Sequence, residues 1–354
     1  MNKKVFVLGA GFTKAFVPSA PLMRDDYSAE VAIILEKLGK YDRVRTILEA
    51  AQQREPDGLI NIERLFTRLE VGMPYDTEES GHHELGVLLT ELMKCFVRRI
   101  DLAKEEVDEE SLERFADYCL RTRATCITFN YDDVLDRAVW KAALRQSPNN
   151  PYKHWGPDGG YGFFCKPSTA CIQSEGNRHL DVTSLLILKL HGSLNWRIRK
   201  GFTPPYSVDA ILHHEEWFQP QFGGKLIHED VSRVKKLILN HIRHESFIVP
   251  PVLTKLSLVE QPILRLVWFH AYEALADADE VVFIGYSMPI TDIAASFLFA
   301  EPLTTKRPKV TVVSLCNNEA QQQELKRRYV SVLPKGIDSS FMFEGALSWL
   351  RTAN

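Results

Sequence analysis

At 354 residues the chain is long for one simple core and suits a large α/β domain with insertions, or two domains. Its 45% hydrophobic and 25% charged content is that of an ordinary soluble globular protein, which excludes a fibrous or disordered chain. The net charge of −3 gives no overall basic field to draw it to nucleic acid or an anionic membrane.

No apolar run approaches the roughly 18 residues of a membrane helix, and Met1–Lys4 leads straight into "VFVLGAG" with no leader. The six cysteines (Cys95, Cys119, Cys126, Cys165, Cys171, Cys316) are scattered and form no CxxC. That usage fits free thiols in a cytoplasmic protein and argues against a disulfide framework or a four-Cys zinc site.

The first predicted strand is "VFVLG" (Val5–Gly9), followed by the turn "GAGFTKAF". Gly9 and Gly11 permit a tight turn, and the amides opening the next helix can face a phosphate; the turn can equally be purely structural. A hydride-transferring dinucleotide fold needs a second strand ending in an acid about 20 residues on. Here Asp25 and Asp26 instead head a helical pattern, so that chemistry is disfavoured. Residues 25–118 read as a helical insertion, with clear periodicity in Ala29–Leu38 and Gly86–Ile100.

The second strand, "ATCITFN" (Ala124–Asn130), runs into "YDDVLDRA". Asp132 or Asp133 can cap the following helix, but an amide such as Asn130 at the end of a buried strand also suits a ribose hydroxyl or a water. Residues 146–182 carry the Gly/Pro/aromatic-rich "SPNNPYKHWGPDGGYGFF" and read as a small loop or hairpin module. Its aromatics Trp155, Tyr161, Phe163 and Phe164 can gate a cleft, or pack permanently on the core.

The third strand, "LLILKLHG" (Leu185–Gly192), delivers His191 to the same sheet edge as Asn130, with Gly192 leaving room for a ligand. A lone histidine is commonly structural; two sugar-binding groups at one edge change that weighing. Residues 196–245 form a second insertion, whose "ILHHEEW" and "HIRHE" lack the HExxH order of a catalytic zinc site and read as solvated faces.

Strands follow at "FIVPP" (Phe247–Pro251), "VVFIGYS" (Val281–Ser287) and "KVTVVSL" (Lys309–Leu315). Gly285 and Ser287 can meet a phosphate or ribose, Thr291 and Asp292 read as helix caps, and Asn317 and Glu319 in "CNNE" can meet a far ribose. Lys326–Arg328 read as a solvated helix face. Near-continuous apolar strands alternating with helical patterns predict an α/β fold. The expected architecture is a single domain over residues 1–354: a doubly wound, mostly parallel six-stranded Rossmann-like sheet with a helical insertion, a small loop-rich module and no zinc ribbon.

In this order "GAGFTKA" with Pro21 and Arg24, "TFNYDD", "LKLHGS", "GYSMP" and "CNNE" resemble a sirtuin-like NAD-binding domain. The spelling is closest to the sirtuin-like NAD hydrolases of bacterial antiphage defence. The resemblance implies NAD+ as substrate and no metal. Asn130, His191 and Asp132 would be catalytic, and Gly9, Ala10, Gly11, Thr13, Pro21, Arg24, Gly192, Ser193, Gly285, Ser287 and Asn317 would bind NAD. The implied activity is NAD+ glycohydrolysis to nicotinamide and ADP-ribose by a toxic, abortive-infection effector. A homo-oligomer is implied, with a HerA-type ATPase or another defence subunit as possible partner. Two alternatives stand beside it: an NAD-dependent protein deacylase, disfavoured by the missing zinc cysteines, and a non-catalytic NAD- or ADP-ribose-binding subunit.

Overall fold

A computed structural model describes residues 3–54, 58–70, 81–103, 107–156, 159–163, 185–199, 210–211, 244–249 and 261–353. Two compact units form: one from Met1–Phe16, Val107–Ile248 and Ser257–Asn354, the other from Val17–Glu106 and Val249–Leu256.

In chain order the elements begin with β1 (Lys4–Leu8), α1 (Ala10–Phe16), β2 (Arg24–Asp25), α2 (Ser28–Leu38), α3 (Asp42–Gln53), β3 (Ile60–Asn61), α4 (Ile62–Glu70) and α5 (Gly81–Ala103). Then come α6 (Glu109–Thr122), β4 (Thr125–Thr128), α7 (Val134–Gln146), β5 (Ile187–Lys189), β6 (Gly192–Arg199), β7 (Ala210–Ile211) and β8 (His244–Ile248). The chain closes with α8 (Pro262–Ala276), β9 (Glu280–Ile284), α9 (Ile293–Lys306), β10 (Lys309–Val313), α10 (Glu319–Val332), β11 (Ser339–Met342) and α11 (Ala346–Thr352).

The first unit is built on a six-stranded sheet of order β11-β10-β9-β1-β4-β5, with every neighbouring pair parallel. Counted along the chain this is the order 6-5-4-1-2-3, so the doubly wound Rossmann-like fold is as expected. Strands buried on both faces must be apolar at every position, and Val5, Phe6, Val7 and Leu8 are all buried. Phe6 packs edge-on against Phe115 of α6 and Trp349 of α11. Phe283 is in register with Val7, hence on the opposite face, where it meets Phe299 of α9 and Tyr329 of α10. The two faces are thus covered by different helices.

Three details differ from the sequence expectation. The run "FIVPP" is not a member of the large sheet: its residues Phe247 and Ile248 belong to β8, which pairs antiparallel with β6 in a separate three-stranded sheet of order β7-β6-β8. The sixth place is taken by β11, whose sequence "SSFM" gives no continuous apolar run. It lies at the sheet edge with no residue fully buried, so solvent tolerates its serines. The run Leu185–Gly192 also divides. After β5 the chain turns at Leu190–His191 and re-enters as β6, with Gly192 at φ +78°, where a Cβ would lie 2.2 Å from the Phe247 carbonyl oxygen.

Trp155, Tyr161 and Phe163 are buried and form a ring cluster with Trp196, so these aromatics pack on the core. Residues 164–182 of the 146–182 module, Phe164 included, lie outside the described residues, as do 200–209 and 212–243 of the 196–245 insertion. Among the described residues no helix is long and apolar enough to cross a membrane.

The second unit holds α2–α5 with the antiparallel pair β2–β3. Leu85, Leu88, Leu92, Phe96 and Ile100 recur at helical spacing along α5 and are all buried. Phe96 meets Phe66 of α4, and Arg99 pairs with Asp25 at 3.1 Å while its guanidinium lies over the Tyr27 ring.

Candidate functional site

In a parallel sheet all the carboxyl ends share one edge, and ligands bind there where the strand order reverses. Here the reversal falls at β1, between β9 and β4. Gly9 N–H donates to the Ile284 carbonyl at 3.1 Å, and Gly11 N–H to the Gly285 carbonyl at 2.9 Å. A Cβ on Gly9 would lie 2.5 Å from the Gly285 oxygen, and one on Gly285 would lie 2.1 Å from the Phe12 nitrogen. Gly285 also has φ +62°. The three glycines are therefore required by backbone meeting backbone. The amides of Gly9 and Gly11 are committed to β9 and the turn after it, which removes them as phosphate donors. Gly285→Ala combines a clash with a left-handed backbone, and urea unfolding should show a loss of more than about 3 kcal/mol.

Across this turn sits a hydrogen-bonded triad. Asn130 is half-buried just beyond β4, and its Nδ2 donates to the Gly9 carbonyl and to Thr13 Oγ1, both at 2.9 Å. The Thr13 hydroxyl donates its own proton to Asp132 Oδ2 at 2.9 Å, and Asp132 Oδ1 accepts Val134 N–H at 3.1 Å. Asp133 occupies the cap position of α7 without a side-chain cap bond, while Asp132 holds the first amide of α7 and orients Thr13 together, a coupling not visible in the linear sequence. With both amide protons of Asn130 engaged, its orientation is fixed and Oδ1 is presented as an acceptor.

His191 lies in the turn just past β5 and is 8% exposed. Its ring stands edge-on to Phe129 at 5.2 Å and tilted against Tyr131 at 6.2 Å. Nε2 lies 4.0 Å from Asp292 Oδ2. Asp292 was expected only as a cap, and it does accept Ala295 N–H at 3.2 Å; its approach to His191 is a feature the sequence did not reveal. Ser193 is fully buried and donates to the Tyr131 carbonyl at 3.2 Å, so its hydroxyl fixes the loop carrying Asp132.

Beneath the triad lies a group that sequence reasoning passed over. Lys189 is buried and pairs with Asp136 Oδ2 at 3.0 Å, each side chain 1% exposed. Its ammonium also donates to the Asp132 backbone carbonyl. Burial pushes the Asp136 carboxyl up from its ordinary value, against the pull of the Lys189 cation. The only hint was a lysine inside the apolar run "LLILKLHG".

The remaining positions divide. Ala10 opens α1 beside Gly9 and Gly11. Ser287 is exposed past β9, and Asn317 is exposed past β10 with its backbone amide donating to Gln321 Oε1 at 2.9 Å. Glu319 opens α10. Pro21 and Arg24 belong to the second unit, Pro21 buried and Arg24 a residue of β2. Among the described residues no group of three or more His, Cys, Asp or Glu is placed to hold a metal ion. Cys165, Cys171, His213, His214 and His241 lie outside them.

No family model matches the chain, and no curated protein does. Among solved structures it is similar to a mutant Sir2 homologue in complex with ADP ribose, at 11% identity over 99% of this chain and 90% of that one, TM-score 0.46. It is also similar to a Sir2 homologue–NAD complex at 13% identity, covering 99% and 89%, TM-score 0.44. A third, Sir2Tm bound to a propionylated peptide, has 11% identity, coverage of 99% and 91%, and TM-score 0.40. Likeness at this level shows no function, and the site rests on its own geometry: the carboxyl edge of a Rossmann-like sheet where the strand order reverses, carrying an oriented amide and a buried histidine.

Proposed function

We infer that this chain is a sirtuin-like NAD+ glycohydrolase, releasing nicotinamide and ADP-ribose, and that it serves as a toxic effector of bacterial antiphage defence. The observation that supports this reading most is the oriented Asn130: two protein acceptors hold its amide protons, which presents Oδ1 at the sheet edge that also carries His191.

In the proposed reaction the bond between the nicotinamide nitrogen and the ribose carbon breaks, and its electron pair leaves with nicotinamide. The ribose then carries oxocarbenium character. Asn130 Oδ1 orients a ribose hydroxyl or the incoming water, and the Asp132 carboxylate, through Thr13, holds that amide in place. Water forms the new bond to the ribose carbon while its proton passes to His191 and on to solvent. Gly9, Ala10, Gly11, Thr13, Gly192, Ser193, Gly285, Ser287 and Asn317 would edge the dinucleotide site of the first unit. NAD+ is the substrate, and no metal takes part. Purified protein should accordingly hold well under one equivalent of zinc and melt unchanged in chelator; stoichiometric, tightly held zinc would count against the reading.

A hydrolase of NAD in its own cytoplasm must be restrained. We therefore assign control to assembly of a homo-oligomer or to a partner such as a HerA-type ATPase, with the helical segment 25–118 and the Gly/aromatic-rich stretch 152–164 as candidate contact regions. The test is to follow NAD and its products by chromatography over a dilution series. Nicotinamide and ADP-ribose should appear in equal amounts, at a rate per subunit that rises steeply with protein concentration or partner. An equal rate in dilute, demonstrably monomeric protein would remove assembly control, and no nicotinamide at any concentration with partner present would remove the activity.

A further inference from the structure

We propose that Asp292 is the positioning residue for His191, stabilising its protonated ring; this deepens the hydrolase reading and takes from it only the meaning of the histidine's proton. Asp292 opens α9 beyond the end of β9, far along the chain from His191. As a helix cap it uses one oxygen, Oδ1, on the Ala295 amide at 3.2 Å. Capping alone would be served as well by an exposed Ser, Thr or Asn. Here the carboxylate is 4% exposed and its second oxygen, Oδ2, lies 4.0 Å from His191 Nε2.

That separation is longer than a hydrogen bond but within reach of charge on charge, so the interaction strengthens once the ring takes up a proton. Two other walls of the ring are aromatic. Phe129 meets it edge-on and Tyr131 lies tilted beside it. Of the nearby ionisable groups, Asp132 is engaged by Thr13 and the α7 amide, and Lys189 is turned to Asp136 and the Asp132 carbonyl. From α8, the neighbouring contact is the neutral Trp268 indole N–H, which donates to the Leu190 carbonyl at 2.8 Å. Asp292 Oδ2 thus sets a carboxylate beside the imidazole. When water yields its proton to His191, the ring becomes a cation in a buried, aromatic setting, and Asp292 supplies the compensating charge. Asp292 need not touch the substrate to do so.

The test uses Asp292→Asn, which keeps a capping side chain and removes the charge. In the full-length protein the His191 imidazole is titrated by NMR, its signal identified by its absence in His191→Ala. The midpoint should move to lower pH in Asp292→Asn and stay near wild type in Asp292→Glu. Under activating conditions kcat for NAD cleavage should fall about tenfold, and the acid limb of the rate profile should move to lower pH with it. If Asp292→Asn does not fold, Asp292→Ser gives the same comparison with a hydroxyl cap. An imidazole midpoint unchanged by loss of the carboxylate overturns the proposal, even if activity falls, because that is the signature of a purely structural cap. If the wild-type protein cleaves no NAD, the hydrolase reading fails, while the titration still decides whether Asp292 and His191 form a pair.

Discussion

Replacing Asn130 or His191 with alanine should reduce nicotinamide release by about two to four orders of magnitude while leaving the fold intact. Asn130 lies at the rim of the sheet with its side-chain amide on the Gly9 carbonyl and Thr13, so truncation removes an orienting group without opening the core. His191 supports no strand pairing with its ring, and its aromatic neighbours remain in place without it. Measured by product chromatography in the assembled state, both variants should keep the wild-type melting transition. Asn130→Asp is the sharper substitution. It preserves shape and acceptor but removes the donors to Gly9 and Thr13, and it sets a second carboxylate near Asp132, so it should be as inactive as the alanine variant. Full turnover in any of the three would dissociate these residues from the chemistry.

The second large effect concerns Lys189. Leaving Asp136 buried without its cation should destabilise the protein by about 3–5 kcal/mol in Lys189→Met, read by denaturant unfolding. The double variant Lys189→Met, Asp136→Leu should recover much of that loss, since a matched apolar pair removes both desolvation penalties. Activity should not recover in parallel. Lys189 also donates to the Asp132 carbonyl, and the loop from Tyr131 to Val134 carries the carboxylate that orients Thr13 and, through it, Asn130. A double variant that is stable yet slow would place Lys189 under the site as a support, and one that is both stable and fully active would reduce it to a core ion pair.

Much of the sheet was legible because strands covered on both faces have few polar positions. β1, β4, β5, β9 and β10 all stand out as apolar runs for that reason. The same signature misplaced Phe247 and Ile248, since an apolar run records burial and not which strand lies beside it. β11 was missed for the opposite reason: at an edge its serines remain half in solvent, and its sequence carries no run.

The site divided in a similar way. Asn130 and His191 were expected at the sheet edge because each is a polar group where an apolar strand ends, and both lie at that edge. Gly9 and Gly11 were found for an incomplete reason, because their need arises from the Gly285 backbone rather than from a phosphate. The Thr13–Asp132 link, the Lys189–Asp136 pair and the approach of Asp292 to His191 all join residues distant in the chain. Only the folded sheet edge brings them together.

The most direct measurement of the central claim is a product balance. Assembled protein is given NAD together with an acyl-lysine peptide, and nicotinamide, ADP-ribose, acyl-ADP-ribose and peptide are quantified by mass spectrometry. The account predicts one ADP-ribose for each nicotinamide released, with the peptide unchanged. Acyl-ADP-ribose formed in step with peptide deacylation, or bound NAD with no nicotinamide released, would contradict it.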